Sequence, residues 1–295
     1  MISKIKNIIA AEDLKVNELL SNHTSYKIGG PAKFYVYPKN KEQLIGLLEI
    51  LKEENVSYFI LGKGSNLIVS DNGFKGCIID LTKYFSEMKI ENGLMTVGAG
   101  ALLTTIAFTA IKNSLSGMEE LAGIPGTLGG ALLMNAGCYG NNISNLVESV
   151  SFLNTENKIE ELSIDQLKFG YRTSNLKGNI IIEAKLRLVK GDQTQIKEKT
   201  EDFLSKRRES QPLDFPSCGS VFKRPIGNYA GKLIEDAGLK GKSIGGVEVS
   251  EKHSGFIVNK GNATARDLKE LIELIKYTVS EKFNVMLQEE VIYLG

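Results

Sequence analysis

The sequence predicts an α+β protein of more than one domain, and three features carry that reading. A strand-helix-strand unit occupies residues 32–61. From about residue 82 to 190 the pattern changes, and short strands surround two helical stretches. After residue 206 strands and helices alternate in a third, separate order. A chain of 295 residues suits two or three domains, and the expected divisions are 1–82, 83–205 and 206–295.

Within the first part, residues 32–37 alternate small, polar and aromatic side chains and read as a strand that Pro38 ends. Residues 42–54 read as a helix with Leu44, Leu47, Leu48 and Leu51 on one face. A second strand at 57–61 ends in the turn Gly62-Lys63-Gly64-Ser65-Asn66. Leu67, Ile68 and Val69 then lead into Asp71-Asn72-Gly73, another turn signal. The middle part carries strands at 96–98, 147–153 and 180–188. Its helices are 103–113 and one that begins inside 123–130, and a charged helix over 194–209 leads on to Pro212. The last part reads as strand 220–223, helix 229–237 closed by Gly238, strands 243–249 and 255–259, amphipathic helix 265–283 and strand 285–293. That is the β-α-β-β-α-β order of split, ferredoxin-like modules.

Composition narrows the function. Hydrophobic residues make up 42% and charged residues 24%, enough apolar material for a large core. Lys and Arg number 36 against 35 acidic residues, so no global field points to nucleic acid or an anionic membrane. Apolar runs are far shorter than a membrane span. Lys4, Lys6, Glu12, Asp13 and Lys15 interrupt the start of the chain, which lacks the apolar run of a secretory signal. A cytoplasmic protein is expected, with neither membrane insertion nor an obligate protein partner. Cys77, Cys138 and Cys218 are odd in number and widely spaced, so no disulfide framework is expected. With only His23 and His253 beside them, no metal site is expected either.

The common nucleotide motifs fail. Gly62-x-Gly64 has Leu67 where a Rossmann fingerprint needs its third glycine, and Gly98-x-Gly100 has Leu103 there. Gly241-Lys242-Ser243 has Asp236 in place of the leading glycine of a P-loop. Two glycine clusters nevertheless suit a large anion. In the turn at 62–66, Gly64 lets the backbone approach a ligand while Ser65 and Asn66 offer hydrogen-bonding groups. In Gly123-Ile124-Pro125-Gly126-Thr127-Leu128-Gly129-Gly130, a helix starts near Thr127, and its free N–H groups are expected to suit a pyrophosphate. Either cluster alone is accounted for by a tight loop needing glycine for its own geometry. Together with Asn135-Ala136-Gly137-Cys138-Tyr139-Gly140 they point to ligand binding.

These residues carry a resemblance to a known family. His23-Thr24-Ser25-Tyr26-Lys27-Ile28-Gly29-Gly30, the turn at 62–66 with Leu67, and the 123–130 cluster with Ala131 resemble the FAD-binding segments of UDP-N-acetylenolpyruvoylglucosamine reductases. Gly170-Tyr171-Arg172-Thr173-Ser174, Cys218-Gly219-Ser220-Val221-Phe222-Lys223 and Gln288-Glu289-Glu290-Val291 resemble their active-site segments. The matches run in family order from about residue 23 to 293.

The resemblance implies a two-lobed FAD-binding domain of the vanillyl-alcohol-oxidase (PCMH) type over about 27–191, followed by a small α/β substrate-binding domain. It implies NADPH as hydride donor, FAD as carrier, and the enolpyruvyl ether of a UDP-sugar as substrate. The cofactor-binding residues it implies are Gly62, Lys63, Gly64, Ser65, Asn66, Leu67, Gly123, Ile124, Pro125, Gly126, Thr127, Gly129, Gly130, Asn135, Gly137 and Gly140. Tyr139, Tyr171, Lys223 and Gln288 are implied to meet substrate. Neither histidine lies in a glycine cluster, so the FAD is expected to be non-covalent.

Among catalytic residues, Arg172 matches the family's arginine and offers a fork suited to a carboxylate. Glu290 matches its glutamate, and Ser220 matches the residue that protonates the substrate carbon. On the residues alone, each has a plainer account: a surface ion pair for Arg172, a local hydrogen bond for Ser220, a solvated strand edge for Glu290. Little spare length separates Arg172 from Ser220, so the chain resembles the shorter type that lacks an inserted segment with a substrate-binding tyrosine. Arg224 stands where many relatives carry Asn. Two other classes stay open on the residues: an FAD-dependent oxidase of the same broad fold, and a nucleotide-sugar binding module without catalysis.

Overall fold

The Asn40 side chain accepts the Gln43 N–H at 2.9 Å and so satisfies one of the donors that a first helical turn leaves open. In the computed structural model, which describes Met1–Gly295, the helix that starts there is α2 (Lys41–Glu53), preceded by a short α1 (Ile2–Ile8). Leu44, Leu47, Leu48 and Leu51 fall on one face of α2 and are buried with Ile5, Phe34, Val36 and Ile79.

Contacts divide the chain into two compact units. The first comprises Met1–Lys15, Phe34–Lys63 and Gly76–Arg207; the second comprises Val16–Lys33, Gly64–Lys75 and Arg208–Gly295. Segments 16–33 and 64–75 group with the C-terminal part, and hydrogen bonding explains why. Ile292–Leu294 runs parallel to Leu67–Val69, and the Asp71 carboxylate accepts the N–H groups of Ala265 and Arg266 at 2.8 and 3.1 Å.

The first unit holds a five-stranded antiparallel sheet in the order Ile159–Ser163, Val147–Leu153, Ile180–Arg187, Leu94–Gly98, Met88–Glu91. Val150, Phe152, Ala184, Leu186, Met95 and Val97 turn their apolar faces to α3 (Leu103–Lys112) and α4 (Leu128–Met134), and the whole cluster is buried. The charged helix is α5 (Gln193–Ser210). In the other sheet of this unit Tyr58–Leu61 pairs in parallel with Phe74–Asp80. Phe74–Asp80, like Leu14–Leu19, is a strand that the sequence pattern did not announce.

The second unit contains α6 (Ala230–Asp236) and α7 (Ala265–Phe283). Thr264 and Asp267 form a capping box at the start of α7, with Thr264 Oγ accepting the Asp267 N–H at 3.0 Å and Asp267 accepting the Thr264 N–H at 3.0 Å. Leu268, Leu271, Ile272, Ile275 and Val279 recur at helical spacing and are all fully buried. At about 2 kcal/mol each their burial contributes roughly 10 kcal/mol before chain entropy. The strand expected at 243–249 is instead a hairpin of Ser243–Ile244 and Val247–Val249, because Gly245 takes φ +51 and turns the chain. Of the strand expected at 285–293 only Ile292–Leu294 is regular, and it pairs with Leu67–Val69 rather than within the C-terminal sheet.

Candidate active site

In the first unit Arg172 sits in the two-residue turn of a hairpin whose arms are Phe169–Gly170 and Thr173–Ser174. Its φ is +56, a left-handed conformation that costs a non-glycine residue roughly 1 kcal/mol. Seven of the eleven non-glycine residues with positive φ are asparagine, which tolerates that region; the others are Lys27, Ser114, Tyr139 and Arg172. Tyr139 and Arg172, two residues singled out from the sequence, are thus held in a conformation that their side chains do not favour. The Arg172 guanidinium lies 5.1 Å from the centre of the Tyr171 ring.

Around this hairpin the chain is tied down by α4. Asn135 is the left-handed C-cap of α4 at φ 43, donates its side-chain amide to the Gly170 carbonyl at 3.1 Å and accepts the Ser144 N–H at 3.3 Å. Ser174 Oγ donates to the Leu133 carbonyl at 3.1 Å. The side chain of Asn135, an implied cofactor ligand, is therefore committed to positioning the hairpin.

The start of α4 corrects one expectation. Leu128 and Gly129 donate their N–H groups to the Ala101 and Ala99 carbonyls, both at 2.8 Å, and Gly130 donates to Thr127 Oγ at 3.4 Å. These donors are used inside the protein and are not free for a pyrophosphate. Gly62 lies against the same cap: a Cβ there would stand 3.2 Å from Thr127 Cγ2 and nearer still to Oγ1. The absence of a side chain at Gly62 thus lets the end of Tyr58–Leu61 abut the 123–130 segment. Gly137 and Cys138 pair with Asn142 and Asn141, and Tyr139 and Gly140 form the turn with φ of 52 and 83, the signature of a two-residue hairpin.

Sequence reasoning passed over Arg207. Ile196, Thr200, Phe203, Leu204 and Arg207 share one face of α5; Ile196 and Thr200 are buried and the other three half-buried. The stem of Arg207 crosses Gly123, where an added Cβ would stand 2.7 Å from its Cδ. The Tyr139 ring stacks at 4.9 Å on Phe203. A helical face supplied by a distant segment leaves no trace in the local pattern of 123–140, so no signal there could have named Arg207. A cation set against this glycine segment suits a ligand that carries phosphates, as FAD does.

In the second unit Gly64 takes φ +62, and its carbonyl accepts the Ser25 N–H at 3.1 Å and the Ser25 hydroxyl at 3.2 Å. Asn66 donates its side-chain amide to the Glu290 carbonyl at 3.1 Å, and its own carbonyl accepts the Ile292 N–H at 3.0 Å. Leu67 is buried in the strand that follows. The implied cofactor turn is thereby stitched to the chain segment that carries Glu290.

Ser220, Glu290, Lys223 and Gln288 come together here. Glu290 donates its N–H to the Val221 carbonyl and Lys223 donates to the Gln288 carbonyl, both at 2.8 Å, while Val221 donates to Gly255 at 3.0 Å. Single bridges join Ser220 to Phe256 and Phe222 to Glu289. Gly219, at φ +80, makes the preceding turn possible. Glu289 meets Lys276 of α7 at 2.9 Å, and its neighbour Glu290 is half-buried. Cys218 is buried, and burial pushes its thiol up to about 12. Arg224 stacks on Tyr229 at 4.0 Å.

Residues 32–163 match the FAD binding domain family, and residues 211–294 match the family described as UDP-N-acetylenolpyruvoylglucosamine reductase, C-terminal domain. The chain is 46% identical to the UDP-N-acetylenolpyruvoylglucosamine reductase of Clostridioides difficile (strain 630), over 98% of this chain and 96% of that protein. It is 47% identical to the reductase of Caldanaerobacter subterraneus subsp. tengcongensis, over 100% of this chain and 98% of that one. The crystal structure of the reductase from Thermus caldophilus superposes with a TM-score of 0.83 at 33% identity, covering 96% of this chain and 100% of that one. With its FAD-binding domain, its matching C-terminal domain and this likeness over nearly its whole length, the chain belongs to the UDP-N-acetylenolpyruvoylglucosamine reductase family.

Proposed function

We propose that this protein reduces UDP-N-acetyl-3-O-(1-carboxyvinyl)glucosamine to UDP-N-acetylmuramate, with electrons from NADPH, as a step of peptidoglycan precursor synthesis in the cytoplasm. The observation that carries this reading is the pairing of the chains that bear Ser220 and Glu290, far apart in sequence, through the bond from the Glu290 N–H to the Val221 carbonyl. A proton donor and a carboxylate on hydrogen-bonded neighbouring chains suit a reaction that ends in proton delivery to carbon.

Non-covalent FAD, held by the glycine segments, would supply hydride chemistry here, and the carbon of the enol ether that takes up hydride is the terminal one. Negative charge then develops on the carbon that bears the carboxylate, and its enolate form needs a donor or cation in place beforehand. Arg172 is assigned to that carboxylate, because a guanidinium can bond both oxygens at once. Ser220 is assigned the proton that the carbon receives, and Glu290 shares a proton with the enolate oxygen. The strained turns of Arg172 and Tyr139 support a role in function, since such strain persists where the surroundings enforce it. Tyr139, Tyr171, Lys223 and Gln288 are assigned to substrate contacts, and the glycine segments at 62–67 and 123–140 to the cofactor.

Anaerobic mixing tests the reading. NADPH should bleach the flavin, and the UDP-sugar enol ether should restore its colour with formation of the lactyl ether. Recolouring by oxygen but not by the enol ether would identify an oxidase instead. Initial rates should give parallel, ping-pong lines, and denaturation followed by filtration should release the yellow chromophore.

A further inference from the structure

Arg207 presents a problem that the protein does not solve by itself. It occupies a position on the inner stripe of α5, three residues after Leu204 and four after Phe203, where a core-facing helix ordinarily carries an apolar side chain. Its stem lies across Gly123, which has no unusual backbone angle; the missing side chain at Gly123 makes room for the arginine rather than for a turn. Burial holds the guanidinium below its usual value, and the groups near it that would favour the cation are Cys138 and Tyr139, neither of them a carboxylate.

The nearby carboxylate is committed elsewhere. Glu120 pairs with Lys199 at 2.8 Å and accepts the Asn141 amide at 3.1 Å, and no acidic side chain pairs with Arg207. Burial raises the Cys138 thiol, which donates to the Glu120 carbonyl and so remains a neutral neighbour. Both Arg207 and Arg172 act on Cys138 through their charge, so two guanidinium groups lie within electrostatic reach of one hairpin. A half-buried cation without a counter-charge is retained when something else supplies the anion.

We propose that Arg207 is a phosphate-binding residue that holds the diphosphate of a bound nucleotide, FAD or the UDP-sugar, at the 123–140 segment. The assignment rests on the reading of that segment as part of a nucleotide site. It gives a function to two features that the glycine pattern leaves unexplained: a glycine with ordinary φ at 123, and a charge on the buried face of α5. A guanidinium bonds two phosphate oxygens in one plane, which suits a diphosphate better than a single ammonium would.

The test uses the full chain stripped of flavin, and inorganic pyrophosphate, FAD and UDP as separate probes. Arg207→Met keeps the stem over Gly123 and removes the charge. Without ligand the variant should melt at or above the wild-type temperature, because an uncompensated cation has gone. Pyrophosphate should raise the wild-type melting temperature and leave that of the variant unmoved. The Kd for FAD or for UDP should rise about 10- to 100-fold, and the nucleotide affected identifies the source of the diphosphate. Gly123→Ala, which displaces the stem and keeps the charge, should weaken the same nucleotide and serves alone if Arg207→Met does not fold. Unchanged affinity for both FAD and UDP in the folded variants would overturn the proposal. These titrations do not use turnover, so the proposal can fail while reduction of the enol ether stands, and the reverse.

Discussion

Asn135 donates its side-chain amide to the carbonyl of Gly170 at 3.1 Å, and through that bond the C-terminus of α4 fixes the turn that carries Arg172. Two properties of Asn135 are combined here, a left-handed backbone and a side chain that reaches across. Asn135→Gly keeps the first and loses the second, whereas Asn135→Ala strains the first as well. Asn135→Gly should therefore lower kcat about 10-fold with a stability loss within about 1 kcal/mol. Asn135→Ala should lose a further 1 kcal/mol or so. Equal turnover in Asn135→Gly and wild type would show that the hairpin holds itself.

Arg172→Lys keeps the charge and loses the planar fork. If the residue bonds both oxygens of the substrate carboxylate, kcat/KM should fall about 10²-fold, the size expected for one preorganised donor in such a site. Reduction of the flavin by NADPH should be little changed. Near-normal kcat/KM would reduce Arg172 to the structural role that its left-handed turn alone could explain.

Periodicity made the long elements legible. The leucines at 44, 47, 48 and 51 and the stripe from Leu268 to Val279 predict α2 and α7 because one helix face meets one core. What the pattern did not contain was pairing between distant chains. Nothing around Leu67–Val69 reveals that Ile292–Leu294 will lie beside it, and that pairing is what moves residues 64–75 into the second unit. The hairpin at 243–249 was legible: Gly245-Gly246 between Ile244 and Val247 is a two-residue turn signal that the single-strand reading passed over. At the candidate site, the resemblance names Arg172, Ser220 and Glu290, but the neighbours that hold them leave no signal in the sequence. The sequence places a helix start near Thr127, as the structure has it, but the N–H groups of Leu128 and Gly129 are not free, because Ala101 and Ala99 supply carbonyls from another part of the chain.

Asp13 makes a pH-dependent contribution to stability. It is 1% exposed; burial alone would raise its pKa, but hydrogen bonds from Lys83, Lys39 and Tyr84 outweigh that and hold the carboxyl below its usual value. Lys83 Nζ lies 2.6 Å and Lys39 Nζ 3.2 Å from its oxygens. A depressed pKa stabilises the fold above the unfolded value of about 3.9, and that stabilisation is lost as pH falls through the folded value. Asp13→Asn should be about 1–3 kcal/mol less stable at pH 7, a range that allows for lysines still partly in water. The gap should narrow as pH drops from 5 towards 3 in denaturant titrations. A gap that stays constant over that range would assign the loss to shape rather than charge.

Ser220 offers the sharpest test of the chemistry. Its chain is held on both sides, by the Phe256 bridge and by the Glu290 N–H to Val221 bond, so removing one hydroxyl from an exposed serine should leave the backbone in place. A hydroxyl is a poor acid in water and can give up its proton only where nearby groups stabilise the alkoxide; Lys223 on the same segment is the cation whose placement bears on this. A positioned general acid contributes about 10²–10⁴ in rate, so Ser220→Ala should lose that much in reduction of the enol ether. Bleaching of the flavin by NADPH needs no proton from Ser220 and should proceed at nearly the wild-type rate. Stopped-flow measurement of the two half-reactions separates these expectations. If both slow by the same factor, the serine shapes the site and another group delivers the proton. If only recolouring by the enol ether slows, and slows less in Ser220→Cys than in Ser220→Ala, the transferable proton at residue 220 is what the reaction requires.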